Sequence, residues 1–236
     1  MEIELKFGLC NRLQTIIGFY TYRKGNPLNV VWKPDAECPG SFEECFEKVH
    51  NLEFLTQKTS NCIGDFYRFP NEQFGMTGFN FKKDFIGNHK IIRPTSDIRR
   101  YIKTLNLHQC IGVYIRRTDF LPHIKNYLAN IVHEIDNNYF HKLISNILLE
   151  NPNQKIYLAT DNYETQNMFY NLFPKNIIFR KIIPKDCKDK RHTNLKDAVV
   201  DLFCLIECKE FYGTKESSFS TFVENYRKIK FKIKII

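Results

Sequence analysis

Gly112-Val113-Tyr114-Ile115-Arg116-Arg117-Thr118-Asp119 reads as a buried strand that runs straight into two arginines and an aspartate. In α/β proteins the carboxyl ends of strands deliver functional groups beside the ligand crevice. Two guanidiniums at such a tip can grip a diphosphate through bidentate, charge-assisted hydrogen bonds. The alternative is a pair of surface arginines in a strand-end turn with Asp119 as their ion-pair partner, and the stretch alone leaves both open.

Working outward, the chain alternates strand-like and helix-like segments. Ile3 to Phe7 reads as a strand, Asn11 to Tyr22 as a helix ending near Gly25, and Leu28 to Trp32 as a second strand. Ser41 is placed to cap a short helix with Phe42, Cys45 and Phe46 on one side. Residues 60–95 are rich in Gly, Asn and Phe without a clear period and read as loops plus a domain crossover. Ser96 then caps a helix from Asp97 to Leu105, followed by a strand from Cys110 to Ile115. Beyond it come a helix (Tyr139 to Glu150), a strand (Ile156 to Thr160), a helix (Tyr163 to Phe173) and a strand (Ile177 to Phe179). A long apolar helix (Leu195 to Cys208), a short strand (Glu210 to Gly213) and a last helix (Ser217 to Tyr226) complete the pattern. Repeated strand–helix units predict an α/β fold with mostly parallel sheets covered on both faces. No internal repeat is visible. The tail from Lys228 to Ile235 alternates charged and apolar residues and reads as an edge strand guarded by lysines.

With 236 residues, 43% of them hydrophobic and 14% aromatic, the chain can build a sizeable core, which excludes global disorder. The formal net charge of +9 favours an anionic ligand: nucleic acid, a nucleotide-sugar or a phosphorylated acceptor. Met1 to Lys6 lacks an apolar signal core, and no apolar run approaches the ~20 residues that span a bilayer, so no transmembrane segment is expected. None of the eight cysteines forms a CxxC pair or has zinc-finger spacing with histidines. A reduced, cytoplasmic setting is expected, with a Cys38–Cys45 disulfide as the minority alternative.

Four strand-to-helix turns carry candidate chemistry. In Phe7-Gly8-Leu9-Cys10-Asn11-Arg12, Gly8 permits close backbone approach to a ligand, and the helix that follows presents free N–H groups to an anion. Asn11 and Arg12 add side-chain donors there. The second turn is the Arg116 stretch. In Ala159-Thr160-Asp161-Asn162, Asp161 either caps the helix or accepts hydrogen bonds from a purine edge or a ribose. In the fourth, the buried helix from Asp197 to Cys208 leads to Gly213-Thr214-Lys215-Glu216-Ser217-Ser218-Phe219-Ser220. The hydroxyls of Ser217 and Ser218 and the helix N–H groups there make a phosphate seat, or Ser217 is a plain cap.

Taken in order, the four resemble the fucosyltransferase-like glycosyltransferases: the nodulation and core α1,6 enzymes, the α1,2 enzymes and the protein O-fucosyltransferases. Their Gly-Leu-Gly-Asn-Arg pattern is similar to Gly8-Leu9-Cys10-Asn11-Arg12, and their His-x-Arg-Arg-x-Asp to Tyr114 through Asp119. Ala159 to Asn162 resembles their Ala-Thr-Asp-Asp, and Asp201 to Ser220 their closing Gly-Ser-x-Ser-Ser-Phe-Ser block. The resemblance implies a compact GT-B-like enzyme of two Rossmann-like halves. Residues 1–95 would form a reduced acceptor domain and 96–236 the nucleotide-sugar (donor) domain. It implies inverting, metal-independent transfer of fucose, with no cofactor and with GDP-fucose or another GDP-sugar as donor. It assigns the donor diphosphate to Arg116, guanine to Asp161, the pocket lining to Ser217, Ser218 and Phe219, and a facing position to Asn11, while Arg117 and Asp119 complete the site.

Gly8, Asn11, Arg12, Arg116, Arg117, Asp161, Ser217, Ser218 and Phe219 are therefore the expected donor-binding set. Arg116 is the expected leaving-group stabiliser. Asp119 is the first candidate for the general base and His123 the second; Glu134 and Asp136 more readily open the next helix. The sequence departs from the family at Cys10, which replaces a glycine and could crowd the first loop, and at Tyr114, which replaces a histidine. The expected partners are a nucleotide-sugar and a glycan acceptor. A non-catalytic nucleotide-sugar or glycan binder is one alternative. A nucleic-acid module is the other, disfavoured because the positive charge is spread along the chain and no zinc, KH or RRM signature is present.

Overall fold

The protein is described by a computed structural model covering residues 1–66, 76–118, 136–183 and 193–232. The chain forms two compact units: Met1–Arg100 with Thr221–Ile236, and Tyr101–Ser220. The return of the C-terminal segment from Thr221 to the first unit has no sequence signal. Among the described residues no helix is long and apolar enough to cross a membrane.

The first unit contains β1 (Glu2–Leu5), α1 (Leu9–Tyr22), β2 (Leu28–Val31), β3 (Leu52–Leu55), β4 (Cys62–Phe66), α2 (Phe79–Asn88) and the start of α3 (Ser96–Thr104). Its four strands are all parallel, in the order β3-β2-β1-β4. β1 is central and wholly buried, acids included. Glu4 is offset by Lys33 at 2.7 Å and Lys58 at 3.5 Å, and Glu2 accepts from the Thr59 N–H and hydroxyl, both at 2.7 Å. These bonds provide the partners that buried carboxylates require.

The second unit contains β5 (Ile111–Ile115), α4 (Asn137–Glu150), β6 (Ile156–Thr160), α5 (Tyr163–Leu172), β7 (Ile177–Ile178), α6 (Leu195–Glu207) and β8 (Glu210–Gly213). The last helix, α7 (Ser218–Lys230), begins in this unit and passes into the first at Thr221. The sheet is again four-stranded and parallel, in the order β7-β6-β5-β8. Strand alternation sends Ile111, Val113 and Ile115 with Ile156 and Leu158 to one face, where they pack with Phe140 and Ile144 of α4 and Phe169 of α5. α6 covers the opposite face. It comes so close that a Cβ on Gly112 would meet Leu205 Cδ2 at 3.0 Å and Cys208 Cβ at 3.3 Å. Both units are thus Rossmann-like and share one strand order, an internal repeat of topology that the sequence does not display.

Several expectations are corrected. Residues 60–95 hold β4 and α2, and β3 precedes them; short strands and a helix with no charged period escape pattern reading. Ser41 opens a single turn instead of a helix. Its Phe42, Cys45 and Phe46 are buried, with Phe42 stacked 4.0 Å from Phe54 and edge-on to Trp32 at 5.6 Å. Lys228 to Lys230, read as an edge strand, are the end of α7; residues 233–236 lie outside the described residues. None of the seven described cysteines is in a disulfide, Cys38 and Cys45 included; Cys187 lies outside the described residues.

One buried group makes the first unit acid-sensitive. His89 follows α2, has no solvent exposure and packs edge-on to Phe85 (4.8 Å) and against Phe222 (5.1 Å). Its Nδ1–H donates to the Phe85 carbonyl at 3.0 Å, while Nε2 has no hydrogen-bond partner among the described residues. Burial lowers its pKa from 6.5 to about 4. The unfolded chain therefore takes up this proton first as pH falls. The His89 contribution is intact above pH 6.5 and is lost toward pH 4, by on the order of 3 kcal/mol. His89→Gln should flatten the pH dependence of unfolding between 6.5 and 4 relative to the native chain. Denaturant melts across that range check this, and equal slopes would contradict it.

Candidate functional site

In each sheet the strand order reverses direction between the first and fourth strands, and ligands of open α/β sheets bind outside the carboxyl ends at that switch point. In the second unit the switch lies between β5 and β8. The residues leaving those two strands are Arg116-Arg117-Thr118 and Thr214 through Phe219, which are two of the four sequence constellations. The third, at Asp161, leaves neighbouring β6, whose Thr160 is in register with Ile115.

Asp161 joins these turns. Its Oδ1 accepts from the Arg117 N–H at 2.8 Å, and its Oδ2 accepts from the Thr118 hydroxyl at 2.7 Å. Arg116 Nε lies 3.1 Å from Oδ2, an ion pair, although its N–H does not point squarely along that line. Asp161 is not the cap of α5, because Asn162 is: its side chain accepts from the Thr165 N–H. Arg116 is held on a second side by Thr214. The buried Thr214 hydroxyl accepts from the Arg116 N–H at 2.9 Å and donates to the Tyr114 carbonyl at 3.0 Å. Thr214 is a site residue that sequence reasoning missed; its one sign was a β-branched hydroxyl directly after the strand-ending Gly213.

Tyr114 is buried and stacks on Phe219, with ring centroids 4.3 Å apart, and its hydroxyl is 3.5 Å from Arg116 Nη1. Phe219 lies in the first turn of α7, so the stack fixes that helix start next to the arginine. Ser217 is buried and its N–H reaches the Thr214 carbonyl at 3.4 Å; Ser218 is the first residue of α7. The loop is strained, since Glu216 sits at φ +60°. Gly213 is obligatory here: a Cβ would lie 2.6 Å from the Phe211 ring and 2.8 Å from Ser220 Cβ.

Two of the predicted arginines are engaged internally. Arg117 is buried over the Phe140 ring at 5.7 Å; Nε donates to Asn137 Oδ1 at 2.9 Å, Nη2 donates to the same oxygen, and Nη1 donates to the Arg116 carbonyl at 2.8 Å. Burial lowers its pKa to about 10 against the pull of Asp161 and Asp136. Arg12, in the first unit, is wholly buried. It donates to the Phe7 carbonyl at 2.7 Å, the Lys33 carbonyl at 2.6 Å and the Asp35 carboxylate, and lies over Trp32 at 5.1 Å. Arg12 therefore braces the first turn, where Phe7 (φ +65°) holds the left-handed conformation, not Gly8, whose φ of −68° is ordinary. Asn11, half-buried, lies in the first turn of α1, and so does Cys10, which is buried. Asp119, His123 and Glu134 lie outside the described residues. Asp136 caps α4 by accepting from the Tyr139 N–H, as expected.

Behind the sheet, α6 supplies a buried polar network. The Tyr157 hydroxyl donates to Asp201 Oδ1 at 2.7 Å, and Arg180 bridges Asp201 (2.9 Å) and Asp197 (3.1 Å). Burial raises the Asp201 carboxyl and Arg180 pulls it back. The acids of the fourth constellation thus support the sheet from behind.

The Gly213 contact is testable. Gly213→Ala should push α7 away from β8, cost about 1–3 kcal/mol and weaken any ligand binding at this strand end. Ser220→Ala should leave stability unchanged or raised, because the Ser220 hydroxyl is buried without a hydrogen-bond partner among the described residues. Thermal melts of both variants check this; a neutral Gly213→Ala would contradict it.

No protein-family model and no curated protein matches the sequence. Solved structures do. NodZ α1,6-fucosyltransferase, soaked with GDP-fucose, aligns with a TM-score of 0.59 at 14% identity over 95% of this chain and 92% of that one. POFUT1 in its apo form aligns with a TM-score of 0.60 at 12% identity, over 96% and 94% of the two chains. POFUT1 in complex with GDP gives 0.59 at 12% identity, over 96% and 95%. The chain spans nearly the whole of each neighbour, and it has their fold, a pair of Rossmann-like α/β units.

Proposed function

We propose that the protein is a glycosyltransferase that transfers fucose from GDP-fucose to a glycan hydroxyl, with inversion and without a metal ion. The observation that carries this reading is the Arg116 guanidinium braced between Asp161 and Thr214 at the switch point of the second unit. The fold neighbours support the donor class, since one was soaked with GDP-fucose and another holds GDP.

In this reading the second unit, with α7 leading out of it, is the donor side, and the first unit is the acceptor side. Negative charge develops on the departing GDP as the glycosidic bond breaks. Arg116 and the N–H groups at the start of α7 would stabilise it from fixed positions, which makes them effective without reorganisation. A fixed guanidinium supplies the charge that a divalent ion would otherwise bring. Asp161 then acts as a positioning residue for Arg116 as well as, or in place of, a reader of guanine, because its oxygens already accept three bonds or ion pairs. Arg117 and Arg12 support the frame. Asp119 is proposed as the base that takes the acceptor proton, with His123 second. The Tyr114–Phe219 stack favours one further reading, a relative that binds the donor without turning it over, because an aromatic pair occupies the place of the family's histidine.

The test is release of GDP from GDP-fucose in the presence of EDTA. The native chain should turn over, and Arg116→Ala should be at least about 100-fold slower, equivalent to about 3 kcal/mol. Its melting temperature should stay near native, since Asp161 keeps Arg117 and Thr118. An Arg116→Ala rate within threefold of native would sink the assignment. GDP-fucose binding without turnover by the native chain would select the non-catalytic reading.

A further inference from the structure

A second basic feature lies in the first unit, away from its switch-point loop. A groove of about 680 Å³ is lined by Lys24, Lys83, Lys90, Lys228 and Lys232, with Asp84 as the one acid. It sits where α1, α2 and α7 end. The 14-residue α1 runs from the Gly8 loop to this groove, so the two lie about 20 Å apart along that helix. The groove is therefore distinct from the strand-end turn at Phe7 to Arg12.

Ordinary electrostatics accounts for part of the cluster. Lys228, in the last turn of α7, offsets the negative end of that helix. Lys232, two residues past α7, Lys90, in the last turn of the short 3-10 helix His89–Ile91, and Lys24, two residues past α1, are offset in part in the same way. The argument does not reach Lys83, which is in the middle of α2, and partial helix-end charges do not balance five full ones. None of the five lysines is in an ion pair among the described residues. Five ammonium groups brought into one concavity by separate segments repel one another, and that cost persists unless an anion relieves it. The floor is tied down, because Asn88 Nδ2 donates to the Thr21 hydroxyl at 3.0 Å and that hydroxyl donates to the Ile17 carbonyl at 2.7 Å.

We propose that this groove is a binding site for a compact ligand carrying two or more phosphate groups. Its volume is in the range of small-molecule sites and too small for a duplex. Ammonium groups without guanidinium forks suit a cluster of point charges more than one planar carboxylate. The site shares no residue with the donor site proposed above and does not depend on it.

The test uses the full chain and inorganic tripolyphosphate, followed by calorimetry at low salt. Native protein should bind. The combined Lys83→Gln, Lys228→Gln and Lys232→Gln variant should bind about 30-fold more weakly, in line with three partly exposed charge contacts. Its thermal melt should match native, because none of the three is buried. The binding that the triple variant loses should persist in Arg116→Ala, where only a donor-site component disappears. Soluble inositol bisphosphate and vesicles containing its lipid form separate a free phosphate ligand from a headgroup, and either one lost in the triple variant supports the site. No binding by native protein, or binding abolished by Arg116→Ala and kept by the triple variant, overturns the proposal. A short single-stranded oligonucleotide that binds more tightly than tripolyphosphate through the same lysines would also overturn it, in favour of nucleic acid.

Discussion

The Asp161 carboxylate is the constraint on which the candidate site depends. Parallel pairing sets Thr160 beside Ile115, so the chains leaving β6 and β5 emerge side by side. A buried carboxylate at that point must be satisfied or it costs several kcal/mol. It is satisfied by the backbone of Arg117, the hydroxyl of Thr118 and the guanidinium of Arg116. The arginine tip of β5 is thereby a fixed turn with one guanidinium aimed by its neighbours. Thr214 repeats the device from the other flank, using one hydroxyl as acceptor and donor at once. Both braces come from strands adjacent to β5, so the sheet topology itself delivers them.

Charge among the candidate arginines of the two units is divided by burial. Arg117 and Arg12 have the residue type expected of ligand-binding groups, yet their donors are engaged with Asn137 and the Arg116 carbonyl, and with Phe7, Lys33 and Asp35. Arg116 retains partial exposure. At this strand end Arg117 holds the loop, while Arg116 keeps part of its surface exposed.

What could be read from the sequence follows the strength of its periodic signals. β6 and β8 were legible to the residue because apolar runs are bounded by turn residues, and α6 because its apolar positions dominate. β3 and β4 were not, since four- and five-residue strands beside polar turns have no period to detect. The tail was misread because lysines at every second position mimic a strand, whereas residues 228–230 continue the amphipathic face of α7. At the site, three of the strand-end turns that the second unit brings together were marked in the sequence. The particular partners, Thr214, Asn137 and the Gly213–Ser220 contact, were not, because they depend on which strands become neighbours. The shared strand order of the two units was equally hidden, because topology can repeat while sequence does not.

The most direct measurement is a calorimetric titration of the full chain with GDP, UDP and dTDP, each with EDTA present. The account predicts that GDP binds more tightly than UDP or dTDP and that Arg116→Ala removes this preference and weakens GDP binding at least tenfold. Absence of a GDP signal, or equal affinity for all three nucleotides that survives Arg116→Ala, would contradict it.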